Sequence, residues 1–390
     1  MSYKQKHILL LSPTFPPDVG GVETHMSDIV KAFQKYPSYR VSVSTYKPIV
    51  TKNIKTYQKK EIIGNITIYR HWWFKNLFHI LEHYPFLQFL YLVPYLFFKT
   101  LLLCQFKIGK PDTIYAHGLS SALIAKWLKS IYKKPRIVVS THAIYEMSPQ
   151  SLTARFTRWI LQSADTILCL SDGSRKELST IGLDEKKIHR FHYWIQLEHF
   201  LPIEKKKAKE SFDVSLSKFI VLFVGRLISI KGFKLLWEVA SALQTEKDIS
   251  FWFVGTGPEE DFLLNNPLPN ITFWGRQDNT ELYKFYNAAD VFCIPSLYEE
   301  GFGRVILEAL ACGTPVIGSK KRGIPEVVTP EVGIVIEPTK ENFINAILTL
   351  KNDRDLYQKL YQNARPYVEK YYSEKNFEEI LSHLDPEYTS

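Results

Sequence analysis

The chain has 390 residues and a mass of 45.4 kDa, with 45 % hydrophobic and 23 % charged residues. That is too long for one comfortable core, so two domains are the default, and the composition is that of an ordinary globular protein rather than a disordered or fibrous one. The net charge of +9 is uneven: residues 1–200 carry +14 and residues 201–390 carry −5. A basic first half suits a phosphate-bearing lipid or a membrane surface. A nucleic-acid binder is a poorer match, because the basic excess is diffuse and the acidic second half would repel a phosphate backbone.

The N-terminal apolar run at 8–11 is too short for the core of a signal peptide and is expected to be a first buried strand. Strand-like runs follow at 41–45, 66–69, 113–116, 137–140 and 167–170, alternating with helix-like stretches at 22–35, 119–131, 152–162 and 175–180. This alternation predicts βαβ units and a parallel sheet. The basic stretch 52–60 is expected to be a surface loop. Residues 84–106 carry only Lys99 as a charge, and by length and apolarity they approach a transmembrane segment. A single crossing would put strands of one sheet on opposite sides of a bilayer. Two readings therefore remain: a long crossover helix covering the sheet, or an aromatic-rich segment from Trp72 onward lying at a membrane interface. The four cysteines, Cys104, Cys169, Cys293 and Cys312, are far apart and sit in apolar runs, which predicts no disulfide framework and fits a reducing compartment.

The second half repeats the pattern. Strands are predicted at 220–224, 251–254, 271–274, 291–294, 315–317 and 334–336, with helices at 234–243, 280–288, 304–311 and 343–350. The domains expected are 1–200, rejoined by about 372–390, and 201–371.

Four stretches carry candidate chemistry. Gly20 and Gly21 follow the first strand and open a helix, where backbone N–H groups can approach an anion closely. Arg226 and Lys231 stand just beyond the first strand of the second half, where two cations suit a diphosphate. Gly255 and Gly257 repeat the strand-to-glycine pattern on the next strand, and Arg276 and Gln277 end the one after. Finally, Glu300-Gly301-Phe302-Gly303 leads into an apolar helix, Arg304-Val305 to Ala311, with one carboxylate in its middle, Glu308. A charge on a buried helix is costly unless something bonds it. Gly313 and Pro315 should end that helix. The acidic run Asp353-Arg354-Asp355 resembles a short metal-binding motif but lies between late helical stretches, and is read as a helix start.

Together these stretches resemble family 4 of the retaining glycosyltransferases, the group 1 type with the GT-B fold. The likeness runs through Gly225-Arg226, Lys231-Gly232, Gly255-Thr256-Gly257-Pro258, the two glutamates Glu300 and Glu308, and Ala311-Cys312-Gly313-Thr314-Pro315. In the first half, Gly20-Gly21, Ala116-His117-Gly118 and Thr141-His142 look like its acceptor-side landmarks. The resemblance implies an α/β architecture of two doubly wound, Rossmann-like domains facing across a cleft, with a C-terminal helix crossing back to the first. It implies a nucleoside-diphosphate sugar as co-substrate, with no cofactor and no metal. Glu308 would hold the ribose hydroxyls; Glu300 and the backbone of Gly301, Phe302, Gly303, Arg304 and Val305 would hold the sugar. Arg226 and Lys231 would hold the diphosphate, Gly20 and Gly21 would approach the phosphates, and Arg276 and Gln277 would meet the base. His117 and His142 would lie on the acceptor side, His117 near the sugar. The acceptor would be a glycan, lipid-linked or of the cell envelope, and the enzyme cytoplasmic or peripheral at the cytoplasmic face of an anionic membrane. A catalytically silent GT-B glycan-binding or scaffold protein is the alternative. One departure stands out: Tyr193-Trp194 replaces the Asn-Gly usual in the family.

Overall fold

A computed structural model describes residues 5–18, 20–51, 54, 56–75, 77–81, 84–142, 147–298, 302–321 and 323–388. It divides into two compact units. Unit 1 runs to Phe191 and takes in the chain from Lys375 onward; unit 2 is His192–Glu374. The division falls before residue 200 because the segment after Phe191 bonds within unit 2. The Ile195 N–H donates to the Tyr372 carbonyl at 3.3 Å, and the Arg365 guanidinium donates to the Leu197 and Phe200 carbonyls at 3.3 and 2.6 Å.

Unit 1 is built on β1 (Lys6–Leu11), β2 (Tyr39–Tyr46), β3 (Lys60–Ile63), β4 (Ile66–His71), β5 (Thr113–His117), β6 (Arg136–Thr141), β7 (Thr166–Cys169) and β8 (Ile188–Arg190). The sheet order is β3-β4-β2-β1-β5-β6-β7-β8, and only the β3–β4 hairpin is antiparallel. The inner strands are buried along nearly their whole length, which explains their unbroken apolar runs. Two edge strands escape sequence pattern: β3, whose residues are only exposed or half-buried and which takes Lys60 from the stretch read as a loop, and β8, with three residues.

The helices of this unit are α1 (Gly21–Phe33), α2 (Phe78–Leu81), α3 (Pro85–Leu103), α4 (Gly118–Tyr132), α5 (Leu152–Leu161) and α6 (Asp172–Thr180). Helix α3 covers the sheet: Leu92, Val93, Leu96 and Leu103 join the core formed with Leu9, Ile114 and Ile137. Pro94 lies inside it. Close by, the Tyr46 hydroxyl donates to the Leu92 carbonyl at 2.7 Å and accepts the Leu96 N–H at 3.1 Å. A side chain thus stands in the helical ladder, one of the known ways a helix accommodates an interruption.

Unit 2 contains β9 (Phe219–Val224), β10 (Ile249–Val254), β11 (Ile271–Gly275), β12 (Val291–Ile294), β13 (Val316–Ser319) and β14 (Gly333–Ile336), in the order β11-β10-β9-β12-β13-β14 and parallel throughout. Its helices are α7 (Lys205–Glu210), α8 (Phe233–Ala242), α9 (Asp261–Asn265), α10 (Leu282–Ala288), α11 (Arg304–Ala311), α12 (Gly323–Val327), α13 (Lys340–Asn352) and α14 (Arg354–Tyr371). As expected, α11 gives way to Gly313 in the left-handed conformation, φ 83°. Asp353 caps α14 by accepting the Leu356 N–H at 2.9 Å, so the Asp353-Arg354-Asp355 run is a helix start.

The last helix, α15 (Asn376–Leu384), belongs to unit 1. Phe377 meets Phe33 edge-on with centroids 4.8 Å apart, and the Leu384 carbonyl accepts from Thr113 at 2.9 Å. Asp385 accepts from Lys6 and Tyr39 at 2.6 and 2.7 Å.

In each sheet the chain steps outward from its first strand, then returns to the other side of it: β5 pairs with β1, and β12 with β9. Open α/β sheets bind ligands beyond the carboxyl ends of the strands at such a switch point. Gly20, Gly21 and His117 follow or end β1 and β5, and Arg226 and Lys231 follow β9, at these two places.

Candidate active site

In unit 2 the loops after β9, β10 and β11 are stitched side by side. The Gly225 N–H donates to the Val254 carbonyl at 3.0 Å, and the Gly255 N–H to that of Gly275 at 2.8 Å. Gly255 has φ 137°, and a Cβ there would lie 1.9 Å from the Gly225 carbonyl oxygen; one on Gly257 would lie 2.4 Å from that of Leu227. Their small size is therefore needed for the loops to pack. Arg226 is exposed just past β9. Lys231 ends a single 3₁₀ turn, Ser229–Lys231, and its ammonium donates to the Tyr298 hydroxyl at 2.7 Å. Gly232 abuts the Pro295 carbonyl, and the Leu297 N–H donates to Ile230 at 2.8 Å, so the loops after β9 and β12 are joined.

Glu300 and Gly301 lie outside the described residues. Beyond them Phe302 is buried, its ring 4.9 Å from Tyr193 and 5.8 Å from Tyr372. Gly303, φ 79°, turns the chain into α11. The first-turn N–H groups of Arg304 and Val305, both half-buried, have no intrahelical acceptor by construction. Glu308, 7 % exposed, faces α10: its carboxylate accepts from the Tyr286 hydroxyl at 2.9 Å and lies 3.4 Å from the Arg304 guanidinium. Burial, then the nearby Glu308 charge, push the Tyr286 phenol well above its usual range, so it acts as a donor. Arg304 also reaches the Trp194 carbonyl at 3.4 Å. The Tyr193-Trp194 departure thus packs behind the start of α11. Arg276 is exposed after β11, and Gln277 folds back to donate to the Trp274 carbonyl at 2.7 Å.

In unit 1, Gly20 precedes α1, and a Cβ on it would strike the Glu23 carboxylate at 2.3 Å, whereas Gly21 has open space. Glu23 is buried and accepts from Thr14 at 2.5 Å, and burial raises its pKa. His117 closes β5 and is only 3 % exposed; its Nδ1 lies 3.0 Å from His142 Nε2. Burial holds both imidazoles neutral, pushing His142 down to about 4 and His117 well below its ordinary value. His25 of α1 sits edge-on to both rings, 6.5 and 5.7 Å away. His117 and His142 thus form a neutral pair just at the carboxyl ends of β5 and β6. His25, Tyr286 and Tyr298 were not singled out from sequence; the helical spacing of His25 from Gly21 is the one signal that could have found any of them.

The family model of Glycosyltransferase Family 4 matches residues 19–199, and that of the group 1 glycosyl transferases matches residues 204–367. The chain belongs to the group 1, family 4 glycosyltransferases. Among relatives of this family 4 glycosyltransferase, one from Methanocaldococcus jannaschii is 23 % identical over 382 residues, covering 94 % of this chain and 95 % of the relative. The D-inositol 3-phosphate glycosyltransferase of Segniliparus rotundus is 33 % identical over 165 residues, 40 % of this chain. That match spans only 36 % of the relative's own length. The fold is GT-B, shared with sucrose-phosphate synthase from Thermosynechococcus elongatus (TM-score 0.79, 21 % identity, 97 % and 98 % of the two chains). It is shared too with Anabaena HepE in complex with UDP and glucose (TM-score 0.75, 19 % identity, 98 % and 99 %).

Proposed function

We propose that this glycosyltransferase takes its sugar from a nucleoside-diphosphate sugar, binds that donor on unit 2, and transfers the sugar with retention to an acceptor docked on unit 1. One observation carries the reading: Arg226 and Lys231 follow the carboxyl end of β9, the loop that bears Lys231 is joined to the loop after β12, and the helix next in the chain, α11, holds a buried carboxylate, Glu308. Two glutamates placed before and within a helix suit acceptance of hydrogen bonds from hydroxyls, whereas a glycosidase sets its carboxylates on either side of the scissile bond. Glu308 accepts from the ribose and Glu300 from the sugar. Arg226 and Lys231 neutralise the diphosphate as the C1–O bond breaks, the electrostatic contribution expected to dominate. The acceptor oxygen bonds C1 on the face the phosphate leaves, and a phosphate oxygen takes the acceptor's proton. The two cations do this work without a metal ion. The UDP and glucose of the HepE complex, and the UDP-2-fluoro glucose bound to the E. coli trehalose-6-phosphate protein, lend support to a nucleotide donor. The acceptor is read as lipid-linked or as a cell-envelope glycan, and the compartment as the cytoplasm, in keeping with four free, buried cysteines.

Thermal-shift screening against UDP, GDP, ADP and their glucose conjugates tests the donor. One nucleotide series should raise the melting temperature, and turnover of its sugar should persist in EDTA and give a product of unchanged anomeric configuration by NMR. A chain that responds to no nucleotide, or an inverted product, refutes the corresponding part.

A further inference from the structure

Helix α3 has two apolar faces. One is in the core; on the other, Phe86, Leu87, Leu90, Phe98 and Leu102 are 47–69 % exposed, and Phe106 just beyond is 75 % exposed. Exposed apolar residues scattered singly are normal, but a contiguous patch marks an interaction surface. This one is contiguous and continues sideways. Phe156 of α5 packs against Phe86 and Phe89, with ring centroids 5.9 and 5.3 Å apart, and stacks on the half-open Trp159 at 5.8 Å. Lys126 of α4 lies over the Trp159 ring at 3.5 Å.

The span 86–108 is long and apolar enough to cross a membrane, yet it is anchored as part of the sheet's cover. Tyr46 bridges its ladder at Leu92 and Leu96, Ser44 bonds Thr100 at 2.8 Å, and β5, which follows, pairs with β1 in the middle of the sheet. A helix fixed on one side can lie on an interface but cannot thread it.

Charge selects the occupant. Residues 72–136 contain eight lysines and one arginine against Glu82 and Asp112. Lys107, Lys110, Lys133 and Lys134 are exposed around the carboxyl end of α3, where Lys110 lies 5.6 Å over the Tyr132 ring and the Tyr132 hydroxyl reaches the Leu101 carbonyl at 3.5 Å. A two-fold pairing of this face with a second copy would set like charges together. An apolar face rimmed by lysines is the pattern of an interfacial helix on anionic lipid. We propose that the outer face of α3, with Trp159 and the lysines at its carboxyl end, docks unit 1 on an anionic phospholipid bilayer, α3 lying in the plane of the interface.

This surface lies in unit 1 and is independent of the donor residues, so nucleotide thermal shifts should be the same in every variant below. The test is sedimentation of the full chain with phosphatidylcholine vesicles, with and without phosphatidylglycerol. Binding is expected only with phosphatidylglycerol and should fall as salt rises. Each charge removed in Lys107→Gln and Lys110→Gln should lower the partition coefficient about fivefold. Leu90→Ser with Phe106→Ser should lower it at least tenfold while leaving the melting temperature in place, because both side chains are exposed. Absence of binding to anionic vesicles at low salt overturns the proposal. So does binding that ignores the Leu90→Ser, Phe106→Ser pair, or a solution dimer that this pair dissolves and vesicles do not compete away.

Discussion

Glu308→Gln probes the donor site with little change of shape. In the native chain one oxygen accepts from Tyr286 at 2.9 Å and the other lies 3.4 Å from Arg304. The amide oxygen of Gln can keep the Tyr286 bond, so the packing of α10 on α11 should survive. What is lost is the charge, and with it the strength of any bond from a ribose hydroxyl. Hydrogen bonds to a charged group contribute about 1.5–3 kcal/mol, so nucleoside diphosphate should bind roughly 10- to 150-fold more weakly. Calorimetric titration with UDP, GDP and ADP, then with the 2′- and 3′-deoxy forms of whichever binds, separates this from a general loosening. The native chain should discriminate against at least one deoxy form by about the factor that the substitution costs, and Glu308→Gln should lose that discrimination. If wild type binds ribo- and deoxynucleotides alike, or the variant binds both as wild type does, Glu308 does not hold the ribose.

Gly255→Ala should cost about 1–3 kcal/mol, because its Cβ would meet the Gly225 carbonyl and the residue would keep φ 137°. A melting temperature lowered by less than one degree would contradict that packing account. Acid should loosen the protein early. Burial pushes His7, His71 and His142 down to about 4 and His117 well below 6.5, so all four are neutral in the folded chain near pH 6. Above pH 6.5 they have no effect on stability. Below it the unfolded chain takes up protons that the folded chain refuses, so each lowers stability by up to about 1.4 kcal/mol per pH unit, and for His7, His71 and His142 this continues until about pH 4. All four lie in unit 1, so proteolysis at pH 5 should cut there first; urea midpoints that stay flat from pH 7.5 to 5 would contradict this.

The parts of the fold that were legible in the sequence were those written in one stretch. The buried strands show as unbroken apolar runs, and β12, α11 and Gly313 are bounded by their own glycines and prolines. Edge strands were not legible: β3 has no fully buried face to give it a pattern, and β8 is three residues held by β7. The partners of the site were also hidden. Tyr286 finds Glu308 from a neighbouring helix, and Tyr298 finds Lys231 from another strand's loop, pairings with no local period to betray them. The covering of His117 by His142 and His25 arises the same way, from three elements far apart in sequence.

The return of α15 to unit 1 has a consequence for synthesis. Phe377, Ile380, Leu381 and Leu384 are all at most 1 % exposed, and the carbonyls of His383 and Leu384 take bonds from Arg136 and Thr113. Until α15 leaves the ribosome, the unit 1 sheet has an open apolar seam along Phe33, and Arg136 lacks its His383 acceptor. Unit 2, continuous from His192 to Glu374, has all its residues sooner. Of the two units, the one whose translation begins first is therefore the one completed second.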